Sequence, residues 1–279
     1  MYLQCGPHRL DLSRPRVMGI VNITPDSFSD RGAHFDHERA LAHARQLIAD
    51  GADIIDVGGE STRPGAPPVS QRDEIARVLP VIEALAADGA IVSIDTMKPP
   101  VMRAATMAGA TMINDVRALK ARGALEVAAA SDAAVCLMHM QGEPRTMQAQ
   151  PRYDDVVRVV RDFLVQRALN CEAAGIAHER IAIDPGFGFG KTKAHNLALT
   201  RALPIFAATG YPVLVGMSRK SAIGEITGRA VEDRLAGSLA AALAAVARGA
   251  RIVRVHDVRE TVDALAVWQA MAADGESGS

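Results

Sequence analysis

Asp95, Asn114 and Asp184 each stand at the end of a run of apolar, mostly β-branched residues, in the stretches SIDT, MIND and IAIDPG. An acid or amide carried on a core-forming segment is costly to bury unless it is paired, because desolvation removes its hydrogen bonds to water. Capping of the next helix, or bracing of a loop, would account for any one of them alone. Three converging at one rim imply a shared dry pocket. Carboxylates and a carboxamide facing such a pocket suit a flat heterocycle with several N–H donors, since one carboxylate accepts two parallel hydrogen bonds. A guanidine-like ring edge is the natural guest.

Charge of the opposite sign comes from SRKS (Ser218 to Ser221) and RVHD (Arg254 to Asp257). Together they offer Arg, Lys, His and hydroxyl donors for a diphosphate; the plainer reading is a solvated basic turn with an Arg/His helix cap. SRKSAIGEITG fits a short helix of the kind that follows a late barrel strand at a phosphate site. DPGFGFGK (184–191) has a phosphate loop's glycines without its GxxxxGK[ST] spacing, so it is not read as a nucleotide loop, and its glycines are read as turning Phe187 or Phe189 toward a ligand. His139, in HMQGEPRTMQ, is read as a wall of the pocket with no chemistry of its own. The loop NITPDSFSDRG (22–32) gathers two hydroxyl residues beyond its Thr-Pro turn, two carboxylates and Phe28.

These residues need elements that bring them together. Apolar runs recur at 17–22, 52–59, 90–96, 111–116, 133–139, 180–186, 211–217 and 250–257, with amphipathic helical patterns between them, most ending in Gly. Strands apolar almost throughout, each followed by a helix, form a parallel sheet buried on both faces. Closure of eight such units predicts an α/β fold, the (β/α)8 TIM barrel, whose active sites lie at the C-terminal strand ends. An open doubly wound sheet would need a GxGxxG-like first turn, which is absent. The expected layout is an N-terminal extension over 1–15, forming a hairpin at the opposite mouth, a barrel over 16–273 and a flexible tail over 274–279. A long fifth helix is expected from near Tyr153.

The composition, 49% hydrophobic but only 4% aromatic, supplies a large aliphatic core, and a net charge of −1 gives no global field for nucleic acid or an acidic membrane. Three widely spaced cysteines point to a reducing compartment, and no apolar run approaches the ~18 residues of a membrane span. With no secretory-type stretch in MYLQCGPHRLDLSRPR, the expectation is a cytoplasmic enzyme.

At this point the chain resembles the dihydropteroate synthase family from about Val17 to Met271, through MGIVNITPDSFSD, DVGGESTRPG, SIDT, MINDV, HMQGEPRTMQ, DPGFGFGK, GMSRKS and RVHDV in family order. The resemblance implies an enzyme joining 4-aminobenzoate to 6-hydroxymethyl-7,8-dihydropterin diphosphate, with release of diphosphate, and it implies Mg²⁺ and a homodimer. Carried over by position, the pterin pocket comprises Asp95, Asn114, Met138, Asp184, Phe189, Lys220 and Arg254. Asn22, Arg254 and His256 take the diphosphate, Asn22 also reaching the metal. Phe28, Thr62, Arg63, Pro64, Phe189, Lys220 and Ser221 form the 4-aminobenzoate site. Asp30, Lys220, Arg254 and His256 carry catalysis, Asp30 meeting a cation on the pterin methylene and Phe28 and Asp30 belonging to a mobile lid.

Departures from the family are small. Arg31-Gly32 stands where Gly-Gly is common, putting an arginine at the lid's rim. Pro99-Pro100 falls in the first turn of a helix, where proline is tolerated. A pterin-binding methyltransferase domain would not need STRPG or SRKS, and a silent scaffold would have lost Arg63, Lys220 or His256; all are present.

Overall fold

A computed structural model describes residues 1–23, 33–61, 66–143 and 146–272. The chain opens with an antiparallel hairpin, β1 (Tyr2–Cys5) and β2 (His8–Asp11). Eight parallel strands follow: β3 (Arg16–Asn22), β4 (Ile54–Gly58), β5 (Val92–Asp95), β6 (Met112–Asp115), β7 (Ala134–Met138), β8 (Ile181–Asp184), β9 (Val213–Val215) and β10 (Ala250–Val255). They close into one barrel in which β10 pairs with both β9 and β3, and helices separate consecutive strands. This is the expected (β/α)8 barrel. Its strands are short because residues beyond the ladder, such as Thr96 and His139, belong to loops at the C-terminal mouth.

Two apolar layers hold the barrel. Between strands and helices lies a broad aliphatic core including Val57, Ile94, Ile113, Val135, Ile183 and Phe206. Inside the barrel, Met18, Ile54, Met112, Cys136, Ala182, Leu214 and Ile252 meet Leu3, Cys5, Leu10 and Leu12 of the N-terminal segment in a second cluster. The hairpin thus fills the N-terminal mouth with side chains. Asp53 ties the following turn down, accepting from Arg16 Nη1 at 2.8 Å and from the Val17 backbone at 2.9 Å. All three cysteines are buried and unpaired.

Local signals set the helix limits. Ser70 caps Gln71–Ala87 by accepting from the Asp73 backbone, and the paired prolines stand at the start of Pro99–Met107. The fifth helix runs Val156–Ala173, starting beyond Tyr153 because Asp155 is its cap and accepts from the Arg158 backbone. No helix among the described residues is long and apolar enough to cross a membrane. The expected tail lies outside the described residues.

Candidate active site

Strand alternation decides which side chains enter the barrel mouth. Two residues beyond the inner-cluster members Ile54, Met112, Cys136, Ala182 and Ile252 stand Asp56, Asn114, Met138, Asp184 and Arg254. Register carries a row across the sheet: Asn22 is opposite Gly58, Gly58 opposite Asp95, and Asp95 opposite Asn114. Met138 is opposite Asp184. The polar strand ends therefore form one layer above an apolar plug.

Asp56, fully buried, is the hub of one half of this layer. Its Oδ2 accepts from Arg254 Nε at 2.5 Å and from Asn114 Nδ2 at 3.1 Å, while Arg254 Nη2 donates to Asp95 Oδ2 at 2.7 Å. Oδ1 of Asp56 is buried without a hydrogen-bond partner among the described residues. Burial pushes the Asp95 carboxyl up to about 7 against the pull of Arg254, with Asp56, Asp115 and Glu74 adding to the rise. Burial also disfavours the Arg254 cation, yet Asp56 and Asp95 override it and raise its pKa. Arg254 is thus anchored inward by two acids.

Asp184 is the centre of the other half. Its Oδ1 accepts from the Gly186 backbone at 2.7 Å. Burial raises its pKa, opposed by Lys220, that N–H bond, Lys191 and Arg254. Lys220 is pushed down to about 8 by burial, with Asp184 holding it up. Its ammonium donates to the Phe187 carbonyl and lies 4.5 Å from the Phe189 ring centroid. Phe187 packs in the core and Phe189 is half-buried, so of the two aromatics Phe189 is the one at the mouth. Met138 is buried beside them.

Lys191 braces the loop that presents Phe189. Its buried Nζ lies 3.0 Å from His139 Nδ1 and donates to the carbonyls of His139 and Phe189 at 3.1 and 3.0 Å. Burial brings Lys191 to about 7, and burial with Lys191 brings His139 to about 3, leaving the imidazole a neutral acceptor. Gly186 passes so close that a Cβ would sit 1.9 Å from the His139 carbonyl oxygen, at φ +72°. Gly186→Ala is therefore expected to lower stability by at least ~2 kcal/mol, read as a lower thermal midpoint with weaker pterin binding.

SRKS and RVHD meet as expected, but partly to hold each other. Ser218 Oγ lies 3.0 Å from His256 Nδ1, and Arg219 Nε donates to Asp257 Oδ2 at 3.0 Å. Arg219, at φ +58°, is thus committed to the loop itself. His256 is half-buried, and Ser221 is exposed at the start of the helix Ser221–Thr227. Phe28, Asp30, Thr62, Arg63 and Pro64, with Arg31 and the expected lid, lie outside the described residues.

Asn22 ends β3 half-buried, its Oδ1 3.5 Å from the place a Cβ on Gly58 would occupy. Among the described residues no three His, Cys, Asp or Glu side chains gather as a metal cage. A single amide oxygen beside the residues expected to take the diphosphate suits Mg²⁺, which keeps several waters and takes few protein ligands. The donor set fits that ion.

Asp56 and Lys191 escape the sequence reading. Asp56 had a usable signal, since it stands two residues before Gly58 on the same face as Ile54. Lys191 had none, because only folding brings the loops after β7 and β8 together.

Comparison with known proteins identifies the family to which this barrel belongs. The family described as "Pterin binding enzyme" matches residues 18–256. The chain is 54% identical over 275 residues to dihydropteroate synthase of Neisseria meningitidis serogroup B, covering 96% of each. It is also similar to the Xanthomonas albilineans dihydropteroate synthase solved with 4-aminobenzoic acid, at TM-score 0.93 and 55% identity over 98% of this chain and 99% of that one. The Xanthomonas albilineans structure with 7,8-dihydropteroate gives TM-score 0.90 and 52% identity, over 99% and 100%.

Proposed function

The chain belongs to the dihydropteroate synthase family of pterin-binding transferases, and on that premise we propose how its barrel mouth condenses 4-aminobenzoate with 6-hydroxymethyl-7,8-dihydropterin diphosphate. The observation that carries the reading is the convergence of Asp184 with Lys220, and of Asp56, Asp95 and Asn114 with Arg254, on one water-poor layer. Asp184 accepts paired N–H bonds from the guanidine-like ring edge, while Asn114 and Asp95 engage the ring from neighbouring strands. Lys220 adds donors, and Met138 and Phe189 pack on the ring. Arg254 lies over it, turning positive charge toward the diphosphate with Asn22 and His256.

Departure of diphosphate from a methylene attached to an electron-rich dihydropterin leaves a cation delocalised into the ring, so a dissociative path is favoured. Arg254 and His256 stabilise the leaving anion, and the apolar walls exclude water that would trap the cation. Asn22 would help hold Mg²⁺, which when bound would supply further positive charge for that anion. Asp30 stabilises the cation and Phe28 covers the acceptor. Thr62, Arg63 and Pro64, with Lys220, Ser221 and Phe189, hold 4-aminobenzoate so that its amine faces the methylene. Sulfonamides, which share that shape and charge, compete there. No covalent protein nucleophile is needed.

We further place the enzyme in the cytoplasm as a homodimer; exposed Val159, Leu169 and Ile205 are apolar side chains available to such an interface. Light scattering of the purified chain tests the dimer. Diphosphate release measured with both substrates tests the activity: release should require 4-aminobenzoate and fall to background with EDTA, recovering on added Mg²⁺. Folded protein that releases none in the presence of 4-aminobenzoate would overturn the reading.

A further inference from the structure

Behind Asp95, outside the barrel wall, lies an ionic cluster that the reaction does not use. Alternation turns Thr96 away from the mouth, and its Oγ1 donates to Glu74 Oε1 at 2.6 Å. Lys98 Nζ spends its three N–H bonds on Glu74 Oε2 at 2.6 Å, Glu60 Oε2 at 2.8 Å and the Val69 carbonyl at 2.7 Å. Glu60 Oε1 accepts from the Val69 backbone at 3.0 Å. Glu74 is fully buried and the Glu60 side chain is 11% exposed. Arg77 adds a bond to the Gly59 carbonyl at 2.9 Å.

Glu60 and Val69 flank the loop after β4. Both backbone groups of Val69 are bound, one by Glu60 and the other by Lys98, while Lys98 also grips Glu60. The two ends are thereby joined through side chains at a fixed separation. Gly59 is wedged against the helix Gln71–Ala87, where an added Cβ would lie 2.9 Å from Val78 Cγ1. A half-buried ammonium with all three N–H groups taken, one of them by a fully buried carboxylate, fixes geometry when complete.

We propose that Glu60, Glu74 and Lys98 are positioning residues for the second substrate: they set the span of the 60–69 loop and so the placement of the aromatic carboxylate acceptor, without touching either substrate. The proposal rests on the assignment of Thr62, Arg63 and Pro64 to the 4-aminobenzoate site. Removing the Glu60 arm frees the loop ends while Asp184, Lys220 and Arg254 keep their partners. The loss therefore falls on one substrate.

The test is steady-state kinetics of Glu60→Ala and Lys98→Arg, with Arg63→Ala in parallel and thermal melting of each. For Glu60→Ala the KM for 4-aminobenzoate should rise about tenfold or more, as expected for a site held too loosely. The KM for pterin diphosphate and the affinity for a pterin analogue should stay within about twofold. Lys98→Arg keeps the charge and Glu60 keeps its bond to the Val69 backbone, so its KM for 4-aminobenzoate should rise clearly less than that of Glu60→Ala. An unchanged KM for 4-aminobenzoate in Glu60→Ala overturns the clamp, as does an equal loss for both substrates. If Arg63→Ala also leaves that KM unchanged, the site assignment itself fails; if Arg63→Ala raises it and Glu60→Ala does not, only the clamp fails. Should Glu60→Ala not fold, Glu60→Gln, which retains one acceptor, carries the same comparison.

Discussion

Arg254→Met should lower stability by about 3–5 kcal/mol near pH ~8, with a smaller deficit near pH ~5. The guanidinium is the partner of a fully buried Asp56 and of Asp95. Methionine fills similar volume and leaves two neighbouring acids without a counter-charge. The sign of the pH effect follows from Asp95, whose carboxyl lies at about 7 in the fold against an ordinary 3.8. Between those values the folded chain holds a proton that the unfolded chain has lost, so raising the pH through this window favours unfolding. Losing Arg254 raises the folded value further, so the deficit grows with pH. Chemical denaturation across pH measures it; a deficit constant with pH would refute the charge argument. Arg254→Met should also cut kcat/KM by about 10²–10³-fold by removing charge from the diphosphate and order from Asp95.

Asp184→Asn should weaken binding of a pterin analogue about 100-fold, or ~3 kcal/mol, with little loss of stability. The amide oxygen can still accept from the Gly186 backbone, now at 2.7 Å from Asp184 Oδ1. The other arm, however, presents N–H to a ligand edge that also carries N–H, turning two charge-assisted bonds into a donor–donor conflict. Lys220 loses the carboxylate that supports its charge and drops below about 8, so the alkaline limb of activity should move to lower pH. Calorimetric titration and a pH–rate profile measure both effects. Equal affinity in the two proteins would remove Asp184 from the pocket.

Much of this site was legible before folding. Asp95, Asn114 and Asp184 announced themselves as polar residues on apolar strands, and the structure brings them to one mouth, the first two in adjacent strands at the same register level. SRKS and RVHD were legible as a basic pair, but their shared bonds were not, because Ser218 with His256 and Arg219 with Asp257 are separated by 38 residues in each case. Asp56 was overlooked because it lies in the middle of its strand, two residues short of Gly58, whereas the acids that drew notice stand at strand ends.

The sequence by itself determined the barrel, through eight apolar runs with helices between them, and the end of the barrel that carries polar side chains. Periodicity and burial are local properties, so they can be read along the chain. Only the tertiary structure decided which charges share a partner: Arg254 with Asp56 and Asp95, Lys191 with His139, and Lys98 with Glu60 and Glu74. Those pairings depend on barrel closure and strand register, which place residues far apart in sequence within ~3 Å, and on burial, which makes an unpartnered charge too costly to leave alone.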